Sequence, residues 1–474
     1  FKQKTAYEIG VRLVGSEMCI RDRLYTFREM RQIINAKLEY IDPDSSFNEF
    51  SIDSRTVKNG DVFFCIKGEM TDGHQYISQA LEKGASAVVA NPEIIPDALQ
   101  KREFPKILVP DPNLALREWA SDARKNFEGK VLAVTGSNGK TSTKEILSSL
   151  CSFFDSNAYA TPGNYNNYIG VPLTLLDAPI ESEWWVIEIG SNNFGEIAEL
   201  SKIVRPTGGV ITNIGESHLE FLLDTKGVAR EKSGLFAGMA QGSKVVIPES
   251  ILHLDIVEKE ADKAGVELIK TAQIEVESKE NRLKFNLFDA DFETAINNPL
   301  FLQNLVSSLT LLRLHGLSVT QLQQATANLE LNLKGRFHTL YMKEWILIDD
   351  TYNANPSSFK SVLENMKNLY PHKRKIVVCG KMAELGQKSP ELHQQVGINM
   401  VKNDVEIMLG LGGEEIESYI GGWKKGGGSL KSAKHFTELD ELLNAFRNEL
   451  KPGDVVLVKG SRSARMERFV EYIS

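Results

Sequence analysis

The feature that most constrains the fold is an apolar strand that leads directly into a glycine-rich loop and then into a helix. The loop is Gly136-Ser-Asn-Gly-Lys-Thr141, and it follows the apolar run Val131–Val134. Apolar residues then recur at helical spacing, at Ile146, Leu147, Leu150 and Phe154. Glycines let backbone N–H groups converge on phosphate oxygens, and a helix N-terminus adds partial positive charge. The pattern therefore predicts a phosphate-binding loop at the end of a strand.

The residue types in the loop fit this chemistry. Lys140 would lie on the β- and γ-phosphates of a nucleotide, and the Thr141 hydroxyl would bind Mg²⁺. The spacing departs from the strict GxxxxGK[ST] pattern, because its first glycine would fall at Val134. A plain glycine turn before a helix with an exposed lysine is the alternative.

Strands and helices alternate through the rest of the chain, which predicts an α/β protein with mostly parallel sheets. In such sheets, ligands bind at the carboxyl ends of the strands. The predicted strands are 62–66, 87–90, 131–134, 185–187, 209–211, 244–247, 345–348, 375–378, 406–409 and 454–458, and a helix is predicted near 114–127.

The chain has 474 residues, which is too long for one ordinary domain and favours about three. We expect a small α/β domain at 24–107, a central domain with the phosphate loop at 108–333, and a Rossmann-like α/β domain at 334–474. The chain begins with Phe1, and residues 1–23 lack the apolar core of a signal peptide. We expect this segment to be a non-native or disordered extension.

Composition excludes several classes of protein. The net charge of −8 argues against nucleic acid as the main partner. The sequence contains no apolar run of the roughly 18–20 residues that a membrane helix needs, so membrane insertion is not expected. Its four cysteines form no CxxC pair, which favours a reducing, cytoplasmic location.

Three further polar residues follow or lie near predicted strands in the central stretch. Glu188 ends an apolar strand, where a carboxylate is costly unless it is paired or binds a metal, so it is a natural acid for Mg²⁺ at the loop. The alternative is a solvated strand-end acid. His218 is a candidate metal ligand, although a loop histidine is more often a surface residue. Lys232 has the pattern of a solvated helix lysine.

Two clusters mark the beginning of the third stretch. Lys334-Gly335-Arg336 lies at a predicted domain junction, where an arginine can bind a γ-phosphate or can simply be a surface charge at a hinge. The segment 349–356, Asp-Asp-Thr-Tyr-Asn-Ala-Asn-Pro, is rich in hydrogen-bonding groups and suits a ribose or a zwitterionic substrate. Its composition also fits a polar turn that ends at Asn-Pro.

Taken together, these clusters resemble the Mur ligase family of ATP-dependent amide ligases of bacterial cell-wall synthesis. The loop Thr135–Thr141 is similar to the family's TGTNGKT signature, with Ser137 in place of threonine. The resemblance spans about 25–474. The other segments that carry it are 53–55, 60–63, 72–74, 163–170, 188–192, 350–356, 458–462 and 380–386, the last of which resembles GDMxELG with Lys381 in place of aspartate.

The resemblance implies a fold and a set of site residues. The three domains would bind a UDP-sugar, bind ATP, and complete the site with a Rossmann-like fold. The implied catalytic residues are Lys140, Glu188, His218, Lys232 and Arg336. ATP contacts are implied at Gly136, Ser137, Asn138, Gly139, Lys140, Thr141, Ser142, Asn304, Arg336, Asp349 and Asp350. Substrate contacts are implied at Ser54, Arg55, Lys67, Gly68, Asn164, Asn166, Asn167, Asn192, Tyr352, Asn353 and Asn355.

Cofactors and partners also follow from the resemblance. Two Mg²⁺ ions are implied, held by Thr141, Glu188, His218 and a carbamylated Lys232, because a carbamate supplies a hard anionic oxygen that an ammonium cannot. Gln303 replaces the histidine of a His-Asn pair in which the asparagine, Asn304 here, contacts adenine. The implied substrates are UDP-N-acetylmuramoyl-tripeptide and D-alanyl-D-alanine, and we expect a monomer.

Other readings remain open at this stage. The 352–356 segment and the absence of an Asp-Asn-Pro-Arg sequence argue against a sister ligase that adds a different amino acid, and the Asp-Ser-Arg segment argues against a polyglutamate-adding enzyme. A binding protein that keeps the fold without turnover is disfavoured by the intact polar set. A P-loop kinase or GTPase is disfavoured by the loop spacing and by the third α/β stretch.

Overall fold

The structure is a computed structural model that describes residues 25–68, 71–279, 282–296, 298–329, 331 and 333–474. The extension predicted at 1–23 and the expected first residue of the fold, Leu24, lie outside this range. The chain divides into two compact units. The first comprises Phe1–Asp122 with Pro179–Glu181, and the second comprises Ala123–Ala178 with Ser182–Ser474.

The first unit is built on a five-stranded sheet. Its order is β1-β5-β4-β3-β2, with β1 antiparallel to β5 and the other pairs parallel. The strands are β1 (Lys37–Glu39), β2 (Phe50–Ser51), β3 (Val62–Phe64), β4 (Ala87–Ala90) and β5 (Lys106–Leu108). The helices are α1 (Phe27–Ile33), α2 (Ile77–Glu82), α3 (Asp97–Gln100) and α4 (Pro112–Lys125), of which α4 begins in this unit.

Trp119 on α4 lies at the centre of an aromatic cluster in the first unit. Its ring is fully buried. It stacks on Phe64 with ring centroids 5.7 Å apart, and it meets Tyr25, Phe47 and Phe50 edge-on. Aromatic rings dominate the packing energy of a core through their large buried area. This cluster therefore fixes α4 on the sheet.

The second unit contains a six-stranded parallel sheet of order β11-β10-β9-β6-β8-β7. Because β6 lies between β8 and β9, the strand order reverses there, and ligands bind at such a switch point. The strands are β6 (Lys130–Thr135), β7 (Tyr159–Ala160), β8 (Trp184–Glu188), β9 (Gly208–Ile211), β10 (Lys244–Pro248) and β11 (Glu267–Thr271). The helices are α5 (Lys140–Ser152), α6 (Gly170–Asp177), α7 (Glu196–Val204), α8 (Leu219–Leu222), α9 (Thr225–Ser233) and α10 (Leu254–Ala264).

A small antiparallel sheet and two helices follow in the chain. The sheet has the order β12-β13-β14. Its strands are β12 (Glu277–Lys279), β13 (Arg282–Leu287) and β14 (Ala290–Thr294), and the helices are α11 (Leu302–Leu314) and α12 (Val319–Ala327). Helix α11 is buried along most of its length, and the polar residues that it buries are the small side chains Ser307, Ser308 and Thr310.

The last part of the second unit forms another six-stranded sheet, of order β15-β16-β20-β17-β18-β19. Only β15 is antiparallel to its neighbour. The strands are β15 (His338–Tyr341), β16 (Ile346–Asp350), β17 (Lys375–Cys379), β18 (Ile407–Leu411), β19 (Ala433–Phe436) and β20 (Val455–Lys459). The helices are α13 (Pro356–Leu369), α14 (Ser389–Lys402), α15 (Glu415–Lys425), α16 (Leu439–Glu449) and α17 (Glu467–Ile473), and short 3₁₀ turns lie at 73–76, 234–238, 299–301, 386–388, 430–432 and 462–464.

The predicted fold class is confirmed: α/β with mostly parallel sheets. One six-stranded sheet is wholly parallel, and the five-stranded sheet and the other six-stranded sheet each have one antiparallel edge strand. Several element boundaries were wrong. The strand predicted at 62–66 ends at Phe64, and the helix predicted near 114–127 spans Pro112–Lys125. Phe154 was expected on the helix after the loop, but α5 ends at Ser152. The domain boundaries at 107 and 333 remain a prediction.

In the described part of the chain, no helix has both the length and the apolar character to cross a membrane. Three cysteines, Cys65, Cys151 and Cys379, are buried free thiols.

The aromatic cluster generates a stability prediction. We expect Trp119→Ala to lower the free energy of unfolding by about 3–5 kcal/mol, because it leaves a cavity among four rings. Leu114→Ala on the same helix is the control, since Leu114 is 45% exposed, and we expect little change. Equilibrium urea unfolding followed by circular dichroism measures both. A loss below about 1 kcal/mol for Trp119→Ala would contradict the packing argument.

Candidate active site

A cavity of about 520 Å³ lies in the second unit, where the glycine-rich loop meets the polar ends of strands from both six-stranded sheets. It is lined by residues that end or follow β6, β8, β9, β16 and β20. Most of the predicted site residues of this unit line it together. They are Ser137, Asn138, Gly139, Lys140, Thr141, Ser142, Asn164, Asn166, Glu188, Asn192, His218, Asn304, Arg336, Asp350, Tyr352, Asn353 and Asn355.

The glycine-rich loop is held in shape by the segment after β9. Gly136 has φ of +141°, and a Cβ there would lie 2.0 Å from Thr212 Oγ1, so only glycine fits. The Ser137 and Asn138 backbone N–H groups donate to the carbonyl and side-chain oxygens of Asn213, at 3.1 and 2.8 Å. Gly139, with φ of +78°, starts α5. The loop is therefore rigid before any ligand arrives.

Lys140, the first residue of α5, bends back over the loop. Its ammonium group donates to the Gly136 carbonyl at 2.8 Å. Desolvation lowers the pKa of Lys140; the negative charge of Glu188 opposes this effect and the positive charge of Arg336 adds to it. The ammonium group now donates to a neutral carbonyl. An anion bound in the loop would lie close enough to become its partner instead.

Thr141 connects three parts of the site through one hydroxyl group. It donates to Glu188 Oε2 at 2.7 Å and accepts from Arg336 Nη2 at 2.8 Å. The other carboxylate oxygen of Glu188 accepts from Asn166 Nδ2 at 2.6 Å. Glu188 is 1% exposed. The carboxylate is held by neutral donors, which leaves its charge available to a cation.

Arg336 reaches the loop from the turn that precedes the last sheet. Its guanidinium group lies 3.8 Å from the centre of the Tyr352 ring. Gly335, with φ of +75°, allows the turn that presents it. A guanidinium stacked on an aromatic face keeps its charge and its donor geometry. The positive charges of Lys140 and Arg336 therefore converge on one region of the cavity.

The two acids of the 349–356 segment have different roles. Asp349 lies outside the cavity lining, and its carboxylate accepts from the Thr351 backbone N–H and hydroxyl group. Asp350 lines the cavity. Its Oδ1 accepts from the Phe337 N–H at 2.9 Å, and its Oδ2 pairs with Lys459 Nζ at 2.5 Å. Of the two predicted ribose contacts, only Asp350 is placed to reach a ligand.

Asn355 connects this segment to the glycine-rich loop. It is the N-cap of α13, where its side-chain oxygen accepts from the Ser358 N–H, and Pro356 follows as the first helical residue. Its Nδ2 donates to Asn138 Oδ1 at 2.8 Å, while Asn138 Nδ2 donates to Ser357 Oγ at 2.7 Å. Ser357 Oγ in turn donates to Asn355 Oδ1 at 3.0 Å. These three side chains form a closed hydrogen-bonded ring.

His218 lines the cavity and contacts Glu384, which lies in the loop after β17. Its Nδ1 lies 2.5 Å from Glu384 Oε2. Both residues have positive φ, at 51° and 60°. The contact with His218 lowers the pKa of Glu384. The histidine predicted as a possible surface residue is thus fixed at the cavity wall.

Lys232 is fully buried behind the cavity wall, which contradicts its sequence pattern of a solvated helix lysine. Its ammonium group donates to Ser191 Oγ at 3.1 Å, and Ser191 lines the cavity. Desolvation lowers the pKa of Lys232 to about 7, and Lys140 adds to this effect while Glu231 and Glu196 oppose it. The amine is therefore substantially neutral near neutral pH.

The remaining predicted residues of this unit lie at the edge of the cavity or near it. Asn304 lines the cavity beside Gly139, whose added Cβ would lie 3.1 Å from its Nδ2. Gln303 also lines the cavity, and its amide donates to Thr271 Oγ1 at 2.9 Å. Asn167 does not line it: its side chain accepts from the N–H groups of Ile169 and Gly170 at the start of α6.

Four predicted substrate residues belong to the first unit. The Ser54 hydroxyl donates to Gln79 at 2.7 Å, and Arg55 forms an exposed bidentate pair with Asp53. The backbone of Lys67 exchanges two hydrogen bonds with the Asn113 side chain, and the Gly68 N–H donates to Thr71. Arg55 and Lys67 are both exposed residues.

Sequence reasoning assigned no role to several residues that the cavity uses. Lys459 and Ser191 lie in segments that carried the family resemblance, and their position after a strand was the available signal. Asn213 follows β9 in the same way. Glu384 lies in the 380–386 segment that carried the resemblance, but its contact with His218 is distant in sequence, and no local pattern marks Ser357.

The donor set of the cavity is mainly oxygen. Within the described residues, no group of three or more His, Cys, Asp or Glu side chains is arranged to hold a metal ion. The Thr141 hydroxyl and the Glu188 carboxylate are nevertheless hard oxygen ligands within 2.7 Å of each other. They fit a Mg²⁺ ion that keeps waters and also binds a substrate phosphate.

Comparison with protein families gives three matches along the chain. Residues 47–124 match the model described as Mur ligase family, catalytic domain. Residues 134–340 match the Mur ligase middle domain. Residues 335–462 match the Mur ligase, glutamate ligase domain. The matches cover all three predicted domains.

Individual proteins resemble the chain over nearly its full length. The UDP-N-acetylmuramoyl-tripeptide–D-alanyl-D-alanine ligase of Haemophilus influenzae is 31% identical over 458 residues, which is 93% of this chain and 96% of the relative. The crystal structure of MurF from Acinetobacter baumannii superimposes with a TM-score of 0.85 at 26% identity, covering 95% of this chain and 99% of that one. The MurF ligase of Thermotoga maritima in complex with ADP gives 0.77 at 29% identity, with 90% and 96% covered.

The geometry of the loop leads to a test of its glycine. We expect Gly136→Ala to weaken ADP affinity about tenfold or more, because the added methyl group displaces Thr212 and overpacking costs about 1–3 kcal/mol. Gly453→Ala is the matched control: Gly453 also has positive φ, but its Cβ would meet nothing within 4 Å. Isothermal titration calorimetry with ADP compares them. Wild-type affinity in Gly136→Ala would contradict the close contact.

Proposed function

The chain belongs to the Mur ligase family, and we infer that it is an ATP-dependent ligase that joins D-alanyl-D-alanine to UDP-N-acetylmuramoyl-tripeptide. This is the reaction that the names of its curated relatives state. It supplies a precursor for peptidoglycan synthesis. ATP use is supported by the ADP-bound structure of the Thermotoga relative.

The observation that carries the mechanism is the convergence of Lys140, Thr141, Glu188 and Arg336 on one cavity. A carboxylate is a poor electrophile, so forming an amide requires its activation. We propose that ATP transfers its γ-phosphoryl group to the tripeptide carboxylate, and that the amine of the dipeptide then attacks the acyl phosphate and releases phosphate. Both partners in the first step are anionic.

Lys140 and Arg336 neutralise that charge. Lys140 binds the β- and γ-phosphates, because its ammonium already lies over the loop at the start of α5. Arg336 binds the γ-phosphate from the opposite side, held flat by Tyr352. Preorganised positive charge is most effective where it stabilises charge that develops in the transition state. Asp350 accepts from the ribose, and Asn304 contacts the adenine.

Two Mg²⁺ ions complete the charge balance in this proposal. Thr141 and Glu188 would hold the first ion, and His218 with a carbamylated Lys232 would hold the second. The ions supply Lewis-acid neutralisation of the phosphate oxygens when they are bound. Glu188 fits because its carboxylate is held by neutral groups alone, Thr141 and Asn166.

The setting of Lys232 supports the proposal that it is carbamylated, which the family resemblance implies. The side chain is fully buried, and among the described residues no carboxylate lies within ion-pair distance of it. A neutral amine attacks CO₂, forms an N–C bond and releases a proton, which yields an anionic carbamate. The lowered pKa of about 7 supplies that neutral amine.

The first unit binds the UDP part of the substrate in this proposal, through Ser54, Arg55, Lys67 and Gly68. In the second unit, Asn164, Asn166, Asn192, Tyr352 and Asn353 contact the tripeptide end or the dipeptide. Asn167 and Asn355 have structural roles in this proposal. The side chain of Asn167 binds backbone N–H groups, and that of Asn355 binds Asn138 in the glycine-rich loop. Water must be excluded from the acyl phosphate, which otherwise hydrolyses.

Lys381 is a local departure from the family pattern, because it replaces an aspartate. Its ammonium lies 3.8 Å from Glu415 Oε1, which compensates the reversed charge.

We propose that the enzyme is a cytoplasmic monomer. Light scattering after gel filtration tests the oligomeric state.

The defining experiment measures phosphate release from Mg-ATP with UDP-N-acetylmuramoyl-tripeptide and one of four acceptors. The acceptors are D-alanyl-D-alanine, D-alanine, L-lysine and diaminopimelate, and product mass is read in parallel. We expect release only with D-alanyl-D-alanine, and a product heavier by the dipeptide less water. Phosphate release with another acceptor would leave the family assignment intact but would show that the acceptor assignment is wrong. No release from folded, ATP-binding protein would support a non-catalytic role.

Lys140 gives the sharpest mutational test of phosphate binding. We expect Lys140→Ala to lower kcat at least about 100-fold, because it removes a preorganised donor to the transferred phosphoryl group. Lys144→Ala on the same helix is the control, since its ammonium pairs with Glu145 outside the cavity. Steady-state turnover of folded variants is compared. Near-wild-type kcat in Lys140→Ala would refute the loop assignment.

Carbamylation is testable without turnover. In protein equilibrated with ¹³C-bicarbonate, we expect a carbamate carbon signal in the ¹³C spectrum that is absent from Lys232→Ala. The signal should grow as pH rises from about 6 to 8, because only the neutral amine reacts and its pKa is about 7. Rescue of Lys232→Ala turnover by short carboxylic acids is the functional counterpart. A wild-type spectrum identical to that of the variant would exclude the carbamate.

A further inference from the structure

Lys459 is a buried cation at the floor of the cavity for which the proposed mechanism has no use. It is 1% exposed and ends β20, the last strand of the chain. Strand β20 lies between β16 and β17, and Lys459 is the register partner of Asp350 on β16. The topology therefore places the two opposite charges side by side at the carboxyl end of the sheet.

The contacts of Lys459 are directional. Its ammonium group donates to Asp350 Oδ2 at 2.5 Å and to the Asn353 carbonyl at 2.9 Å. It also lies 5.4 Å from the centre of the Phe359 ring. One ammonium thus fixes both a carboxylate and the backbone of the segment that follows it.

Asp350 is left with a defined orientation. Oδ1 accepts from the Phe337 N–H and Oδ2 from Lys459, so the two hydrogen bonds favour one orientation of the carboxylate plane. Each carboxylate oxygen has a second lone pair for an incoming donor. A vicinal diol is a ligand that donates two hydrogen bonds to such a fixed pair of oxygens.

We propose that Lys459 is a positioning residue for the nucleotide sugar: it orients Asp350, and the oriented carboxylate selects the ribose hydroxyl groups. This inference rests on the proposed function, in which Asp350 accepts from the ribose. Lys459 itself acts through Asp350. Without Lys459, the carboxylate is held at a single oxygen, and we expect it to bind the diol less tightly.

The test compares the preference for ATP over 2′-deoxy-ATP and 3′-deoxy-ATP, measured as the ratio of KM values in the ligase reaction. We expect Lys459→Met to reduce that preference about tenfold, the scale of a hydrogen bond to a charged group, with a smaller change in kcat. Lys459→Arg should restore most of it. A change of overall stability alone would shift activity with all three nucleotides equally.

Lys375→Met is the matched control. Lys375 is equally buried, at 1% exposure, in the neighbouring strand β17, but it lies at the opposite end of the sheet and donates to the Lys373 carbonyl. It should leave the sugar preference unchanged. An equal loss of preference in this variant would overturn the proposal, because the effect would then follow from burying fewer charges.

Asp350→Asn separates failure of this inference from failure of the proposed function. If Asp350→Asn keeps the wild-type preference, Asp350 does not contact the ribose, and that part of the proposed function fails. If Asp350→Asn loses the preference and folded Lys459→Met keeps it, the positioning role is wrong.

The double variant Asp350→Asn/Lys459→Met covers the case in which Lys459→Met does not fold, since it removes both buried charges. In the double variant we expect the same preference as in Asp350→Asn alone, because Lys459 acts only through Asp350. A further loss beyond Asp350→Asn would show a direct contact between Lys459 and the sugar and would overturn the proposal.

Discussion

The Thr141 hydroxyl group is the interaction on which the rest of the site depends. It donates to Glu188 at the end of β8 and accepts from Arg336 in the turn before the last sheet. Burying an ionised carboxylate without donors is costly, so Glu188 requires both this hydroxyl and the Asn166 amide. One side chain therefore sets the separation between the loop, the acid and the arginine, and it ties the two six-stranded sheets of the second unit together.

The cavity retains buried charges at a cost in stability. Desolvation lowers the pKa of both Lys140 and Lys232, which means that the folded protein opposes their charged forms. A buried ion pair such as Asp350–Lys459 is often no more stabilising than well-packed apolar residues. The proposed function accounts for this cost, because the phosphates and the carboxylate of its substrates would need charge compensation in a region from which water is excluded.

Much of the fold and of the candidate site could be predicted from local sequence patterns. The contacts between residues far apart in the sequence could not. The loop at 136–141 was recognisable because strand, glycines and helix are contiguous, and Asn355-Pro356 was a local turn signal that the structure uses as an N-cap. The partner of Asn355 is Asn138, and that contact depends on how the two sheets face each other. Strands β13 and β14 alternate apolar and polar residues, with Leu283, Phe285 and Phe292 buried, but they lack the continuous apolar run on which the strand predictions relied. Lys232 looked solvated because its helix is rich in charge, but α9 buries this face in the unit.

The strand order has a consequence for how the site is assembled. Asp350 ends β16, but the lysine that orients it arrives on β20, after all the other strands of the chain. The strand between β16 and β17 is thus contributed by the final segment of the chain, and Lys459 on it also donates to the Asn353 carbonyl, in the segment that contacts the loop. Formation of the nucleotide site therefore depends on completion of the second unit. A nucleotide that binds only the completed site stabilises that whole unit, rather than the loop alone.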